Sequence, residues 1–155
     1  MAEYSVYTIG HGDISWDRFV SLVHRHPVQM IVDIRAFPYY DAAPWFNRDR
    51  LEHSIRRQGW EYMWLGSKLG SLTSDGRLDH LAKEHEPAYR DGVKELLSMA
   101  GGTCVCLLGT QPDHHNTHRH QLIAQTLLRQ DVEVLHILPG GELEPACADL
   151  FHSRP

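Results

Sequence analysis

His118 and Arg119 stand side by side after a polar loop and at the head of an apolar-periodic run. Together they suit the recognition of an anion. A guanidinium offers a rigid planar fork to a carboxylate or phosphate, and an imidazole exchanges a proton near neutral pH. A helix start adds unpaired backbone N–H groups and the positive end of the helix dipole. Arginine in a first turn opposes that dipole, so Arg119 calls for a reason other than helix stability. The plain alternative is a capping turn with solvated side chains.

Asp33 and Arg35 lie two residues apart at the end of an apolar run, and strand alternation puts them on one face. They form either a substrate clamp or a structural ion pair tying the strand end to its loop. His11, between Gly10 and Gly12, can act as an acid or base or hydrogen-bond a neighbouring loop. Its glycines suit close backbone approach. A dinucleotide fingerprint is not supported, since serine stands at position 15 where a third glycine belongs. Trp45, Trp60, Tyr62 and Trp64 offer an aromatic wall for a planar ligand, with core packing as the competing role.

The 12 histidines raise metal binding, above all His114, His115, His118 and His120. Only a helix through all of them would put His118 on one face with His114 or His115, and the helix is expected to begin later. No paired-cysteine spacing and no His-Glu-x-x-His motif is present, so no metal and no other cofactor is assigned. Cys104 and Cys106 sit one strand period apart and read as small core side chains.

These residues must be held by alternating strands and helices. Strands are predicted at 4–9, 28–34, 60–65, 103–108 and 132–138 from short β-branched or aromatic runs bounded by Gly and Pro. Helices are predicted after Asp13 or Ser15, with Trp16, Phe19, Val20 and Val23 as one stripe, and from Asn47 to Gln58. Two more are predicted from Tyr89 to Met99 and from Thr117 to Arg129. Residues 36–46 read as an irregular aromatic loop, and 66–76 as a Gly- and Ser-rich one. The expected fold is α/β, one domain over 1–155, with a mostly parallel sheet of about five strands and helices on both faces. Ligands of such sheets bind beyond the carboxyl ends of the strands. That rule gathers His11, Asp33, Arg35, Gln111, His118, Arg119 and His136 at one edge.

A net charge of −5 gives no general attraction to a phosphate backbone. Arg48, Arg50, Arg56, Arg57 and Lys68 could make a local patch, but Asp49 and Glu52 dilute it, so a nucleic-acid partner is not expected. No stretch is long and apolar enough to span a bilayer, and Met1-Ala2-Glu3 does not open a leader pattern. With three cysteines in no framework spacing, the expected place is the cytoplasm.

The pieces Thr8 to His11, Asp33 to Arg35 with Pro38, Phe46-Asn47, Leu51, Gly59 with Tyr62, Leu65-Gly66, Leu69-Gly70 and His118-Arg119 together resemble the family called domain of unknown function 488. The resemblance runs from about residue 5 to 138. It implies a small bacterial or archaeal protein without an established activity. Members usually carry a cysteine and a glutamate after the fourth strand and a cysteine before the His-Arg pair. Gly109, Gln111 and Thr117 stand at those positions here. Any thiol chemistry the resemblance implies is therefore lost, since neither glycine nor threonine can supply a thiolate.

The expectation is a small anionic ligand held by Arg35 and Arg119 with Gln111, His136 and Tyr62. His11 or His118 would serve as acid or base, and Asp33 would orient a partner. A non-catalytic binder that kept the pocket is the alternative. Catalysis itself and a homodimer are left open.

Overall fold

The computed structural model describes residues 4–148. Met1-Ala2-Glu3, on which the leader expectation partly rests, lies outside them. Six strands form one sheet in the order β3-β2-β4-β1-β5-β6. They are β1 (Ser5–Gly10), β2 (Met30–Asp33), β3 (Glu61–Trp64), β4 (Val105–Gly109), β5 (Glu133–Ile137) and β6 (Leu143–Pro145). The first five are parallel, and β6 runs antiparallel along the edge of β5. Five of the strands fall where the alternating runs predict them. β6 is additional: its three residues are too few for alternation to mark, and its pairing with β5 defines it.

Two helices cover one face. α1 (Trp16–His24) starts at Ser15, whose hydroxyl accepts from the Arg18 N–H at 3.1 Å, and it buries Phe19, Leu22 and Val23. α2 (Arg48–Arg57) buries Leu51 and Ile55. Asn47 occupies its N-cap position but spends its side-chain oxygen elsewhere, on the Tyr40 N–H at 2.6 Å, and so secures the aromatic loop instead of the helix end. Those two helices pack on Ile9, Ile31, Cys106 and Leu108. Across the sheet, α3 (Gly66–Leu69), α5 (Pro87–Ala100) and α6 (Gln125–Arg129) cover Val6, Val32, Ile34 and Leu107. A short α4 (His80–Glu84) precedes α5. The predicted final helix is present, but its first half, Arg119–Ala124, is wound as a π-helix. Such segments are rare and recur at functional sites.

β2 and β4 are neighbours whose connections leave in opposite directions. The chain passes from β2 through α2 to β3, and from β4 through the π segment and α6 to β5. Diverging connections open a crevice at the carboxyl ends of the two strands, the usual ligand position in sheets of this type. Gly10 makes the crevice tight. A Cβ there would lie 1.6 Å from the Gln111 carbonyl oxygen, so only glycine lets the loop after β4 cross the end of β1.

Candidate functional site at the carboxyl edge of the sheet

Asp33 is the last residue of β2 and is fully buried, with Arg35 beside it at 4% exposure. The guanidinium grips the carboxylate with two parallel bonds, Nε to Oδ1 and Nη2 to Oδ2, both 2.8 Å. The Arg35 N–H adds a bond of 3.1 Å to Oδ1, and the Tyr62 hydroxyl donates to Oδ2 at 2.7 Å. Burial, then the Asp33 charge, pushes the Tyr62 phenol far up, so it stays a donor. Trp64 Nε1 donates to the Arg35 carbonyl at 2.8 Å and holds the chain where it leaves the sheet.

His11 joins this network. Its Nδ1 lies 2.6 Å from the Gly12 carbonyl, which can only accept, so Nδ1 carries the proton. Nε2 is then left to accept from Arg35 Nη1 at 3.2 Å. The ring stacks on Phe46 at 4.5 Å, and burial lowers its pKa from 6.5 to about 4. His11 is thus neutral at pH 7, with both nitrogens engaged.

Arg119 is held differently. At 1% exposure it is among the largest fully buried side chains. Nη1 donates to Thr8 Oγ1 at 2.7 Å and Nη2 to the Gln111 carbonyl at 2.6 Å, while the buried Nε has no hydrogen-bond partner. Among the described residues no carboxylate lies within ion-pair distance of it, and burial lowers its pKa from 12.5 to about 10. A cation in low dielectric without a counter-charge is costly, and an incoming anion would offset that cost.

Arg35 and Arg119 both line a cavity of about 430 Å³. Gln111 and His118 line it too. His118 Nε2 is buried without a hydrogen-bond partner, and burial followed by the nearby His80 lowers the His118 pKa to about 4. The ring is neutral at pH 7 and lies against the backbone of Ile34 and Leu69. Sequence reasoning missed Phe37, Ser71, His80 and Asn116 of the lining. The one available signal was Phe37, an aromatic at 74% exposure beside the Asp33–Arg35 pair. Ser71 and Asn116 sit on loops without periodicity, and His80 opens the five-residue α4.

Of the residues expected at this edge, Asp33, Tyr62 and His11 lie behind Arg35 and do not line the cavity. Trp60 belongs to the core with Tyr62, and Trp45 and Trp64 pack against it, so these rings form no wall around a ligand. His136 lies on the other side of Thr8, its Nδ1 2.6 Å from Thr8 Oγ1. There it stacks on His114 at 3.7 Å and approaches His120 Nδ1 at 3.2 Å. Burial, then the neighbouring His114 and the Arg119 charge, lower its pKa to about 2. Cys106 is fully buried, and burial raises its thiol pKa, as a core role requires. Of the basic residues near α2, Arg56 pairs with Glu52, Lys68 with Asp91 and Glu95, and Arg48 lies over Trp64.

A larger groove of about 880 Å³ runs between α4, α5 and α6 and shares His80 with the first cavity. It holds no buried charge in the way Arg119 is held, so the smaller cavity is the better site on chemical grounds.

The family model described as domain of unknown function DUF488 matches residues 15–127. The chain belongs to the DUF488 family. No curated protein and no solved structure matches it. The match spans α1 through most of α6, and so takes in Asp33, Arg35, Tyr62, His118 and Arg119. In this DUF488 protein Gly109, Gln111 and Thr117, where the resemblance leads one to expect cysteine, glutamate and cysteine, all line the cavity. No helix among the described residues is long and apolar enough to cross a membrane.

Proposed function

We propose that this DUF488 protein binds a small anion in the cavity between the ends of β2 and β4, with Arg119 as anchor. The observation that carries this reading is the buried Arg119 guanidinium without a carboxylate and with an unsatisfied Nε. Arg35 adds a second guanidinium, oriented by Asp33 and His11, with two of its five N–H groups uncommitted. His118 Nε2 is the group that would exchange a proton with the bound molecule. Gln111, exposed at the rim, lines one wall.

The test is thermal unfolding with inorganic phosphate, sulfate or pyruvate, against chloride at matched ionic strength, because salts also act on bulk hydration. At least one of these anions should raise the wild-type melting temperature. In Arg119→Gln its apparent affinity should fall by about tenfold or more, the loss of roughly 1.5–3 kcal/mol for a charged hydrogen bond. Equal responses in the two proteins would remove Arg119 from the proposal.

A second reading, binding without catalysis, is favoured by Gly109 and Thr117. No thiol of the described residues lines the cavity, so nucleophilic or redox chemistry of cysteine has no group to perform it there. Turnover of any cavity-bound compound by the wild-type chain would decide for acid–base catalysis by His118.

A further inference from the structure

The loop after β4, the π segment and β5 each send one histidine to a single point. His114 is 1% exposed, His120 9% and His136 0%, and their ligating nitrogens all lie within 4.8 Å of one another. Neutral imidazole is a common ligand for borderline divalent cations, and three such nitrogens with one open position are a recurrent zinc arrangement. Two nitrogens bound 2.0–2.1 Å from a tetrahedral zinc lie roughly 3.3 Å apart. His120 Nδ1 and His136 Nε2 are separated by 3.2 Å.

The outer contacts are those a metal-bound histidine needs. Ligating histidines commonly give their second ring N–H to an oxygen, which sets tautomer and orientation. His136 Nδ1 faces Thr8 Oγ1 at 2.6 Å, leaving Nε2 for the cluster. His114 Nε2 faces Glu144 Oε2 at 2.6 Å, leaving Nδ1. Glu144 also supplies negative charge at the rim, against the positive Arg119 that reaches Thr8 from the other side.

We propose that His114, His120 and His136 form a three-histidine site for a zinc-class divalent cation, with Glu144 and Thr8 as its outer-sphere partners. This goes beyond the anion cavity and does not depend on it. His114 now stacks on His136 with planes 18° apart, and a metal lies in the plane of every ring it binds. Ligation therefore turns the His114 ring out of this stack, a motion available to a side chain on the loop between β4 and the π segment. Sequence spacing hid the trio because His136 joins from a strand 16 residues beyond His120. An exposed trio, Asp113, His114 and His115, shares His114 and is the competing site.

The experiment is Co(II) titration of the full chain, made without a histidine tag and stripped with chelator, followed by Zn(II) displacement and metal analysis. Expected is one Co(II) per chain, with the intense visible bands of a low-coordinate site and no thiolate charge-transfer band. Loss of an outer-sphere partner costs metal sites 10–100-fold in affinity. His120→Gln, which removes a ligand, should therefore weaken binding by at least about 100-fold, and Glu144→Gln by about tenfold. His115→Gln should change it less than about threefold. Circular dichroism checks folding, and if His120→Gln does not fold, His115→Gln, altered at an exposed side chain, serves: binding kept there supports the buried trio and binding lost overturns it. A Co(II) spectrum that stays that of the hydrated ion overturns the proposal. So does binding that survives His120→Gln and is lost in His115→Gln, which would place the ion in the exposed trio.

Discussion

Arg35, just past the end of β2, and Arg119, at the start of the π segment, reach the same cavity, and both are nearly inaccessible to water, yet they are held in opposite ways. Arg35 has a full counter-charge. Asp33 takes its fork from two oxygens, Tyr62 fills the remaining side of the carboxylate, and His11 accepts the third bond. Arg119 has only a hydroxyl and a carbonyl, and its Nε has nothing. The first arrangement is self-sufficient and rigid. The second leaves a buried N–H without an acceptor. Burial of a cation is thus no guide to function by itself, and the missing partner is what sets Arg119 apart from Arg35 and carries the proposed anion site.

The sharpest way to break this comparison is Asp33→Asn, which turns Arg35 into a second uncompensated cation. Removing one partner of a buried pair costs about 3–5 kcal/mol, and urea unfolding should show a loss of that size. Formate, a carboxylate small enough to replace the missing group, should restore part of it. An unchanged midpoint would mean that Asp33 does not neutralise Arg35. Tyr62→Phe asks how far the pair depends on its third member. It removes one hydrogen bond to a charged acceptor and leaves the bidentate contact, so a loss of about 1.5–3 kcal/mol is expected by the same measurement.

The smallest effect concerns protons. His11 and His118 have folded pKa values of about 4 against 6.5 when unfolded. The unfolded chain therefore binds more protons between those values. Stability is complete above about pH 6.5 and is lost as the pH falls toward 4. Each histidine contributes a slope of at most about 1.4 kcal/mol per pH unit. His11→Gln, in which the amide oxygen can still accept from Arg35, should flatten the slope between pH 6 and 5 by about one proton. The same slope in both proteins would mean that His11 does not titrate with folding.

Much of the scaffold was legible because it depends on local pattern. The apolar run before Asp33 reads as a strand covered on both faces, and β2 is buried throughout. Phe19 with Val23, and Leu51 with Ile55, fall on the inner faces of their helices by spacing alone. The edge rule for parallel sheets brought Arg35, Gln111, His118 and Arg119 to one cavity although up to 84 positions separate them. β6 escaped, as did the π winding of residues 119–124. The stripe of Leu122, Ile123 and Leu127 suits a helix of ordinary pitch as well, so spacing does not mark the wider turn.

The division between the two levels follows from the range of the forces. Periodicity and side-chain type act over a few residues, so the order of elements, the inward faces and the chemistry available at the sheet edge can be read directly from the chain. Whether a buried charge has a partner depends on contacts between distant segments. Arg119 meets Thr8 across 111 positions, and His136 meets Thr8 across 128. No local pattern encodes those meetings. Only the folded chain separates the satisfied arginine from the unsatisfied one, and only there do three scattered imidazoles become a cluster.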